Sequence, residues 1–308
     1  MTMRGGDLVS VDDLTEGELG LVLEHAADLK RRSRAGEPTP LLAGKTLAMI
    51  FEKPSLRTRV TFEVAMQQLG GGTVNLAPAD IQLGTRESVP DVARNLSRWV
   101  EGIMARTFAH RTVVDLAEAA SVPVINGLSD WEHPCQALAD LLTVQEHLGS
   151  LDAARLAWVG DGNNVLHSLL LGAVKMGASV AVATPAGHAP AERVVRRATE
   201  IAARSGGAIA VTTDPAEAVR AAEIIYTDVW VSMGQEAERA QRLRDFAGYQ
   251  VNAALLRAAG GAPKVMHCLP AHRGEEITDE VLDGRSSIVL DQAENRLHAQ
   301  KGLLALIL

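Results

Sequence analysis

The stretch FEKPSLRTR places an unusual number of hydrogen-bond donors within a few residues. Ser55, Arg57, Thr58 and Arg59 surround Leu56, after an apolar run that predicts a buried strand and before a pattern that predicts a helix. The first turn of a helix offers unpaired backbone N–H groups and a positive dipole end, so it attracts anions. Hydroxyl and guanidinium groups add donors that suit phosphate. The alternative is a serine-capped helix with solvated arginines, and the spacing alone leaves both interpretations open.

Other polar side chains follow predicted strands or begin predicted helices. Arg106 follows an apolar run in MARTFAH, and His133 and Gln136 flank Pro134 where the next helix begins. An imidazole and an amide at a helix start can donate to a carbonyl or phosphate oxygen. Arg296 lies in the last helix, within DQAENRLHAQ. Each has an ordinary alternative, namely a surface arginine, a helix cap or a solvated helix charge.

The turn WVGDGNN superficially suggests a dinucleotide-binding fingerprint. Val165 stands at the third glycine position, so that signal is weak. Asn163 and Asn164 instead offer amides that could hold a small polar ligand.

Two further strand ends carry candidate reactive groups. Asp228 ends a strand and is followed by Ser232 and Met233, and an acid in that position can pair with an amine. Cys268 ends another strand, beside two histidines. A catalytic thiol requires an activating base. The alternatives are an ordinary loop acid and a buried cysteine.

Strands that alternate with helices position these groups. The pattern restarts near residue 140, which predicts two α/β domains, each with a parallel sheet flanked by helices. We predict one helix over residues 11–34 and a last amphipathic helix capped by Asp291. The charged run QEAERAQRLRD, just after Gly234, indicates a mobile exposed segment.

Composition excludes several classes of function. The 308 residues are 47% hydrophobic and 22% charged, as is usual for a globular protein, and the net charge of -8 argues against nucleic-acid binding. The two cysteines, Cys135 and Cys268, show no zinc-ligand spacing. The chain shows no apolar signal core and no apolar run of the roughly 18 residues that a membrane span needs. We therefore expect a cytoplasmic protein without metal or membrane partners.

Taken together, the motifs resemble those of the aspartate/ornithine carbamoyltransferase family. The resemblance covers almost the whole chain and rests on FEKPSLRTR, DIQLGTRES, ARTFAH, NGLSDWEHPCQALADL, GDGNN, DVWVSMG, HCLPAHRGEE and AENRLHAQK, in that order. HCLPAHRGEE and DVWVSMG point to the ornithine branch. One departure is Leu56, where that branch more often has Thr or Met. The resemblance gives this position a main-chain donor, so the change should be tolerated.

The resemblance implies a domain of residues 1–134 that binds carbamoyl phosphate, a domain of residues 135–288 that binds ornithine, and a C-terminal helix, residues 289–308, that packs back on the first domain. It implies that carbamoyl phosphate is bound by Ser55, Leu56, Arg57, Thr58, Gln82, Arg106, His133, Pro134, Cys135, Gln136, Cys268, Leu269 and Arg296. It implies that ornithine is bound by Asn164, Asp228, Ser232 and Met233. Catalysis would depend on Arg106, His133, Asp228 and Cys268.

The implied reaction transfers the carbamoyl group to the δ-amine of ornithine, giving citrulline and phosphate, in arginine biosynthesis and without a cofactor. A homotrimer is also implied, in which Gln82 reaches the site of a neighbouring chain. The alternative at Gln82 is a solvated side chain on a polar loop. The alternative functions are a related transferase that uses another amine, such as putrescine, a non-catalytic binding protein on the same fold, and, least favoured, a nucleotide-dependent dehydrogenase.

Overall fold

A computed structural model describes residues 3–232 and 234–308, and for Asp80 its backbone only. The chain divides into two compact units. The first runs through Leu142 and includes Glu294–Leu308, and the second is Thr143–Ala293. Among the described residues, no helix is both long and apolar enough to span a membrane.

Parallel strands form one sheet in each unit. The strands are β1 (Thr46–Phe51), β2 (Gly72–Leu76), β3 (Gly102–Arg106), β4 (Val124–Leu128), β5 (Arg155–Val159), β6 (Ser179–Ala183), β7 (Ala208–Thr212), β8 (Ile224–Thr227) and β9 (Lys264–His267). The order is β2-β1-β3-β4 in the first unit and β7-β6-β5-β8-β9 in the second.

Helices connect the strands. They are α1 (Glu16–Arg34), α2 (Arg57–Gln68), α3 (Pro78–Ile81), α4 (Val89–Leu96), α5 (His110–Ala119), α6 (Pro134–Leu148), α7 (Asn164–Lys175), α8 (Glu192–Ser205), α9 (Pro215–Ala218), α10 (Arg239–Asp245), α11 (Ala253–Ala258), α12 (Asp279–Leu282) and α13 (Val289–Ile307). Short 3₁₀ helices span Val11–Asp13 and Glu236–Glu238.

Most strands are buried, whereas β2 and β7, each at one edge of its sheet, are not. All five residues of β3 are buried, and β8 is buried throughout. Continuous apolar runs of this kind are typical of parallel strands covered by helices on both sides. The edge strands β2 and β7 keep exposed positions along their length. The predicted fold class, two helix-flanked parallel sheets, is confirmed.

Strand register brings distant residues to the same edge of each sheet. Phe51 at the end of β1 lies beside Arg106 at the end of β3. In the second unit, Thr227 at the end of β8 lies beside His267 at the end of β9. Residues that follow these strands therefore gather at the carboxyl edge, where open parallel sheets bind ligands.

The last helix packs back on the first unit, as predicted. A Cβ built on Gly302 of α13 would lie 2.8 Å from the carbonyl oxygen of Val22 and 2.8 Å from the backbone nitrogen of Ala26, both in α1. Only glycine permits so close an approach of the two helix backbones.

Two local predictions are wrong. The predicted helix over 11–34 begins at Glu16, because Thr15 caps α1 through a capping box with Glu18. Asp291 is not the cap of α13, which begins at Val289; its carboxylate instead lies 2.9 Å from His147 Nε2.

The run QEAERAQRLRD, expected to be mobile and exposed, is exposed at most of its residues, and its mobility stays a prediction. Part of it forms α10, and Arg242 within that helix is buried. The limits predicted for the ligand-binding domains, at residues 134 and 288, stay predictions. The two compact units divide at other positions, within α6 and within α13.

Candidate functional site

The backbone N–H groups at the start of α2 are not capped by the side chain of the N-cap residue. Leu56 is the N-cap residue and makes no side-chain capping bond, and its side chain is 72% exposed. Arg57 and Thr58 form the first turn, with Thr58 buried and Ser55 half-buried just before it. Arg59 is exposed and pairs with Glu63 at 3.3 Å. Arg59 therefore serves the helix surface, whereas the half-buried Arg57 starts the helix beside the other predicted site residues.

Thr58 connects this helix start to two arginines from distant parts of the chain. Arg296 Nη2 donates to Thr58 Oγ1 at 2.8 Å, and Arg106 Nη1 donates to the same oxygen at 3.5 Å. Both guanidinium groups are buried. The first unit thus concentrates positive charge beside the N-terminus of α2, an arrangement suited to a doubly charged anion.

Gln136 extends this network through α6. Arg296 Nη1 donates to Gln136 Oε1 at 2.7 Å, and Gln136 Nε2 donates to Asp140 Oδ1 at 2.8 Å. These bonds fix the orientation of the amide and of the guanidinium. Asp140, one helical turn further along, is fully buried and was not predicted. Its signal in the sequence is the i, i+4 spacing from Gln136 on one helix face.

His133 stands just before α6 as a neutral imidazole. Burial lowers its pKa well below the usual 6.5, and the positive charges of Arg296, Arg106 and Arg57 lower it further. A neutral imidazole has one N–H donor and one acceptor nitrogen. At neutral pH this ring can therefore donate a hydrogen bond to a ligand oxygen without carrying a charge.

Pro134 and Cys135 form the first turn of α6. Burial raises the pKa of the Cys135 thiol to about 12, and the thiol donates to the carbonyl oxygen of Asn126 at 3.5 Å. The Cys135 side chain is consequently part of the core and not a nucleophile.

Lys53 is a cation in this region that sequence reasoning missed. It is buried, and its Nζ lies 4.7 Å from the centre of the Phe108 ring. Burial lowers its pKa, and the charge of Arg106 adds to this effect. The only signal in the sequence was its position inside FEKPSLRTR.

Gln82 lies apart from this network on an exposed stretch after α3. Its φ is 43°, in the left-handed region that non-glycine residues seldom adopt. Its N–H donates to the carbonyl oxygen of Pro78 at 2.9 Å. An outlier of this kind motivates a functional hypothesis.

The second unit gathers an acid, a thiol and an amide. Cys268 Sγ donates to Asp228 Oδ1 at 3.0 Å, and Asn163 Nδ2 donates to Asp228 Oδ2 at 2.8 Å. Asn163 also caps α7 with its Oδ1, which accepts from the N–H of Val165 and of Leu166. In this bond Cys268 acts as the donor and the carboxylate as the acceptor.

The sequence offered both Asn163 and Asn164 as possible ligand amides, but the resemblance assigned only Asn164 to ornithine. Asn164 is the first residue of α7, whereas Asn163 makes the contact to Asp228. The choice between the two adjacent asparagines depends on where the helix begins, because the side chains of a cap residue and of a first-turn residue point in different directions.

Leu269 is held in an unusual backbone conformation by His267. Its φ is 58°, and its N–H donates to His267 Nδ1 at 2.9 Å. The other ring nitrogen, Nε2, therefore carries the proton and donates to Glu276 Oε1 at 3.0 Å. This fully buried pair fixes the backbone at Leu269, which the resemblance implied in binding carbamoyl phosphate.

The predicted loop residues after β8 are only partly described. The Ser232 N–H donates to Gln235 Oε1 at 3.0 Å, and Ser232 is half-buried. Met233 lies outside the described residues.

Among the described residues of the second unit, two groups of side chains have metal-ligand spacing. Ligand atoms of Asp228, His267 and Cys268 lie within 4.8 Å of one another. Both ring nitrogens of His267 are already engaged, by Leu269 and Glu276, and the Cys268 sulfur by Asp228. A metal would have to displace these bonds. A second group, His272, Glu275 and Glu276, has the same spacing. Here Arg239 pairs with Glu275, and Glu276 accepts from His267.

Chemically, the first unit suits a small anion with a polarisable carbonyl, and the second suits an amine. Comparisons with known proteins agree with this division. The family model described as "Aspartate/ornithine carbamoyltransferase, carbamoyl-P binding domain" matches residues 6–146, and the one described as "Aspartate/ornithine carbamoyltransferase, Asp/Orn binding domain" matches residues 152–307.

Full-length relatives are similar throughout. A protein of Carboxydothermus hydrogenoformans named ornithine carbamoyltransferase is 55% identical over 99% of this chain and 98% of its own. One of Pyrococcus furiosus named ornithine carbamoyltransferase, anabolic, is 53% identical over 100% and 98%. A solved structure of ornithine carbamoyltransferase from P. furiosus has a TM-score of 0.97 and covers 100% of this chain and 98% of that one.

Proposed function

The chain belongs to the aspartate/ornithine carbamoyltransferase family, and we propose that it transfers the carbamoyl group of carbamoyl phosphate to the δ-amine of L-ornithine. The products are L-citrulline and phosphate. The observation that carries this proposal is the pairing of two buried arginines with Thr58 at the start of α2. It provides concentrated positive charge and donors for a phosphate next to a carbonyl.

In this proposal the phosphate binds at the start of α2. Ser55, the N–H of Leu56, Arg57 and Thr58 surround it, and Arg106 bridges the phosphate and the carbonyl. The helix dipole and two guanidinium groups stabilise the charge on the leaving phosphate.

The oxyanion of the tetrahedral intermediate requires donors that are already oriented. Arg106, Thr58 and the neutral His133 provide them, and Gln136 and Arg296 hold the carbamoyl end in place. Thr58 accepts hydrogen bonds from both arginines, which leaves its own O–H to donate. Removal of one such donor raises the barrier by about 3 to 4 kcal/mol. Because His133 is neutral, its donor function persists across the neutral pH range.

The nucleophile must be the neutral amine. If its pKa resembles that of lysine, about 10.4, its neutral form costs about 4 to 5 kcal/mol at neutral pH. Asp228 and Cys268 form the polar pair proposed to receive this amine, while Asn164, Ser232 and Met233 hold the amino-acid end. The hydrogen bond from Cys268 to Asp228 supports a positioning role for the thiol, with the carboxylate as the charged group.

Citrulline formation tests the proposal directly. Purified protein is incubated with carbamoyl phosphate and either L-ornithine or putrescine, and citrulline and N-carbamoylputrescine are measured by mass spectrometry. Citrulline is expected with ornithine, and no product with putrescine, which lacks the α-carboxylate. Carbamoylation of putrescine at the higher rate would transfer the assignment to a related enzyme, and no product with either amine would contradict catalysis.

We further propose a homotrimer, a cytoplasmic location and a role in arginine biosynthesis. Exposed apolar side chains at Leu56, Val60 and Val74 (72%, 46% and 45%) support self-association of the first unit. The exposed and strained Gln82 supports a contact to a neighbouring chain. Both cysteines are free, which suits a reducing compartment. The relative named anabolic supports the direction of the pathway.

A further inference from the structure

A single buried guanidinium joins both ends of the loop that contains Ser232. Arg242 Nη1 donates to the carbonyl oxygen of Trp230 at 3.0 Å, just before the loop. Arg242 itself lies in α10, just after the loop, and its Nε donates to Glu238 Oε2 at 3.2 Å. The segment between Trp230 and Arg239, the first residue of α10, therefore has both of its ends beside this side chain.

The same guanidinium is tied to the turn after β5. Arg242 Nη1 lies 3.2 Å from Asp161 Oδ1, and the two side chains are 7% and 8% exposed. Asp161 precedes Asn163 by two residues, and Asn163 donates to Asp228. Arg242 is thereby connected to both the loop ends and the group proposed to meet the amine.

Aromatic packing and a histidine–carboxylate contact hold the Arg242 side chain and α10 in place. Phe246, at the end of α10, stacks on Trp230 with ring centres 5.6 Å apart, and Arg242 lies 5.8 Å from the Phe246 ring. His188 Nε2 lies 3.0 Å from Asp245 Oδ2. Burial raises the pKa of Asp161 to about 6, against the opposing charges of Arg242 and His188, so Asp161 is ionised at neutral pH.

We propose that Arg242, neutralised by Asp161, is a positioning residue for ornithine. It acts through the Trp230 carbonyl and holds together the two ends of the segment between Trp230 and α10. Bringing the two ends of a loop together costs conformational entropy. Because Arg242 already holds these ends together, that cost is met before the substrate binds. Without it, ornithine binding itself would have to order Ser232 and its neighbours, which weakens ornithine affinity. Carbamoyl phosphate, bound mainly by residues of the first unit, should be little affected. This inference rests on the proposed function.

Steady-state kinetics of citrulline formation separate the two substrates. The variants are Arg242→Met, Arg242→Lys and Asp161→Asn, with Arg244→Met as the matched control, because Arg244 lies on the same helix but is exposed. For Arg242→Met the KM for ornithine should rise about tenfold, as expected for loss of charge-assisted hydrogen bonds, while the KM for carbamoyl phosphate changes less than about twofold. Arg242→Lys should recover part of the loss, and Arg244→Met should match the wild type.

Amide hydrogen exchange provides a readout that does not depend on activity. Exchange in residues 231–238 should accelerate in Arg242→Met and Asp161→Asn relative to Arg244→Met. An unchanged KM for ornithine, an equal rise in both KM values, or unchanged exchange in this loop would overturn the inference. If Arg242→Met does not fold, the same measurements on Asp161→Asn test the inference, because that variant removes the carboxylate charge and keeps the shape of the side chain. A wild-type protein that makes no citrulline would contradict the proposed function, whereas the exchange experiment would still test the role of Arg242.

Discussion

Arg296 and Thr58 are 238 residues apart in sequence, yet Arg296 Nη2 lies 2.8 Å from Thr58 Oγ1. The bond joins the last helix to the start of α2. Arg106 also donates to this oxygen, so the hydroxyl accepts from two arginines and can donate its own hydrogen. Thr58 is therefore both a support for the arginines and a candidate donor.

Removal of the Thr58 hydroxyl should lower the catalytic efficiency strongly. For Thr58→Val, which keeps the shape, kcat/KM for carbamoyl phosphate should fall about 100- to 1,000-fold, because a donor and the support of two buried arginines are lost together. Thr58→Ser keeps the hydroxyl and should remain within about tenfold of the wild type. Steady-state assays of both variants check this. Near wild-type kinetics for Thr58→Val, or a loss in Thr58→Ser as large as that in Thr58→Val, would contradict this role of the hydroxyl.

Arg57 and Arg59 provide a matched pair on one helix. Arg57→Ala should lower kcat/KM for carbamoyl phosphate by more than about tenfold, because a phosphate contact at the helix start is lost. Arg59→Ala removes only a surface ion pair with Glu63, so the change should be small. Near wild-type kinetics for Arg57→Ala would contradict the phosphate assignment.

The proposed shared site predicts complementation between chains. Gln82→Ala and Arg106→Ala should each be impaired as pure assemblies. After the two variants are unfolded and refolded together, some sites should combine an intact Gln82 from one chain with an intact Arg106 from another, and part of the activity should return. Mass-labelled chains verify the exchange. Exchange without recovered activity, or a fully active monomer, would exclude the shared site.

The two thiols should differ in accessibility. Cys268 is half-buried and Cys135 is fully buried, with a thiol pKa raised to about 12. A thiol reagent at pH 8 should therefore modify one cysteine per native chain, and Cys268→Ala should abolish that reaction whereas Cys135→Ala should not. Modification in the presence of carbamoyl phosphate and an ornithine analogue should be slower. Equal labelling of both thiols in the native protein would contradict this description.

His298 should make stability depend on acidity. Burial, chiefly, lowers its pKa to about 4 in the folded chain, against about 6.5 when unfolded. As pH falls from 6.5 to 4, the unfolded chain binds a proton that the folded chain excludes, so the free energy of unfolding decreases. The contribution of this one group amounts to about 3 kcal/mol at most.

Denaturant unfolding at several pH values measures this contribution. His298→Gln should lose less stability than the wild type over that range, and His25→Gln controls for the removal of an imidazole elsewhere. Parallel curves for the wild type and His298→Gln would contradict the assignment to His298.

The amino-acid sequence by itself determined the alternation of strands and helices and the polar residue types that follow the strands. It determined these because apolar periodicity and helix-start chemistry are local properties of neighbouring residues. The motif resemblance, also a property of the sequence, identified the family. Local rules failed at residues 11–15 and at Asp291. There, several neighbouring residues could begin the helix, and side-chain contacts decided which of them does.

The tertiary structure alone decided which of these residues meet. The bonds of Thr58 to Arg296, of Cys268 to Asp228 and of Arg242 to Asp161 join segments between 40 and 238 residues apart, and no local spacing encodes them. The neutral state of His133 likewise depends on burial and on three arginines that packing brings near it. Desolvation and Coulomb interactions are set by distance in space, which is why the chemistry of the site appears only once the chain is folded.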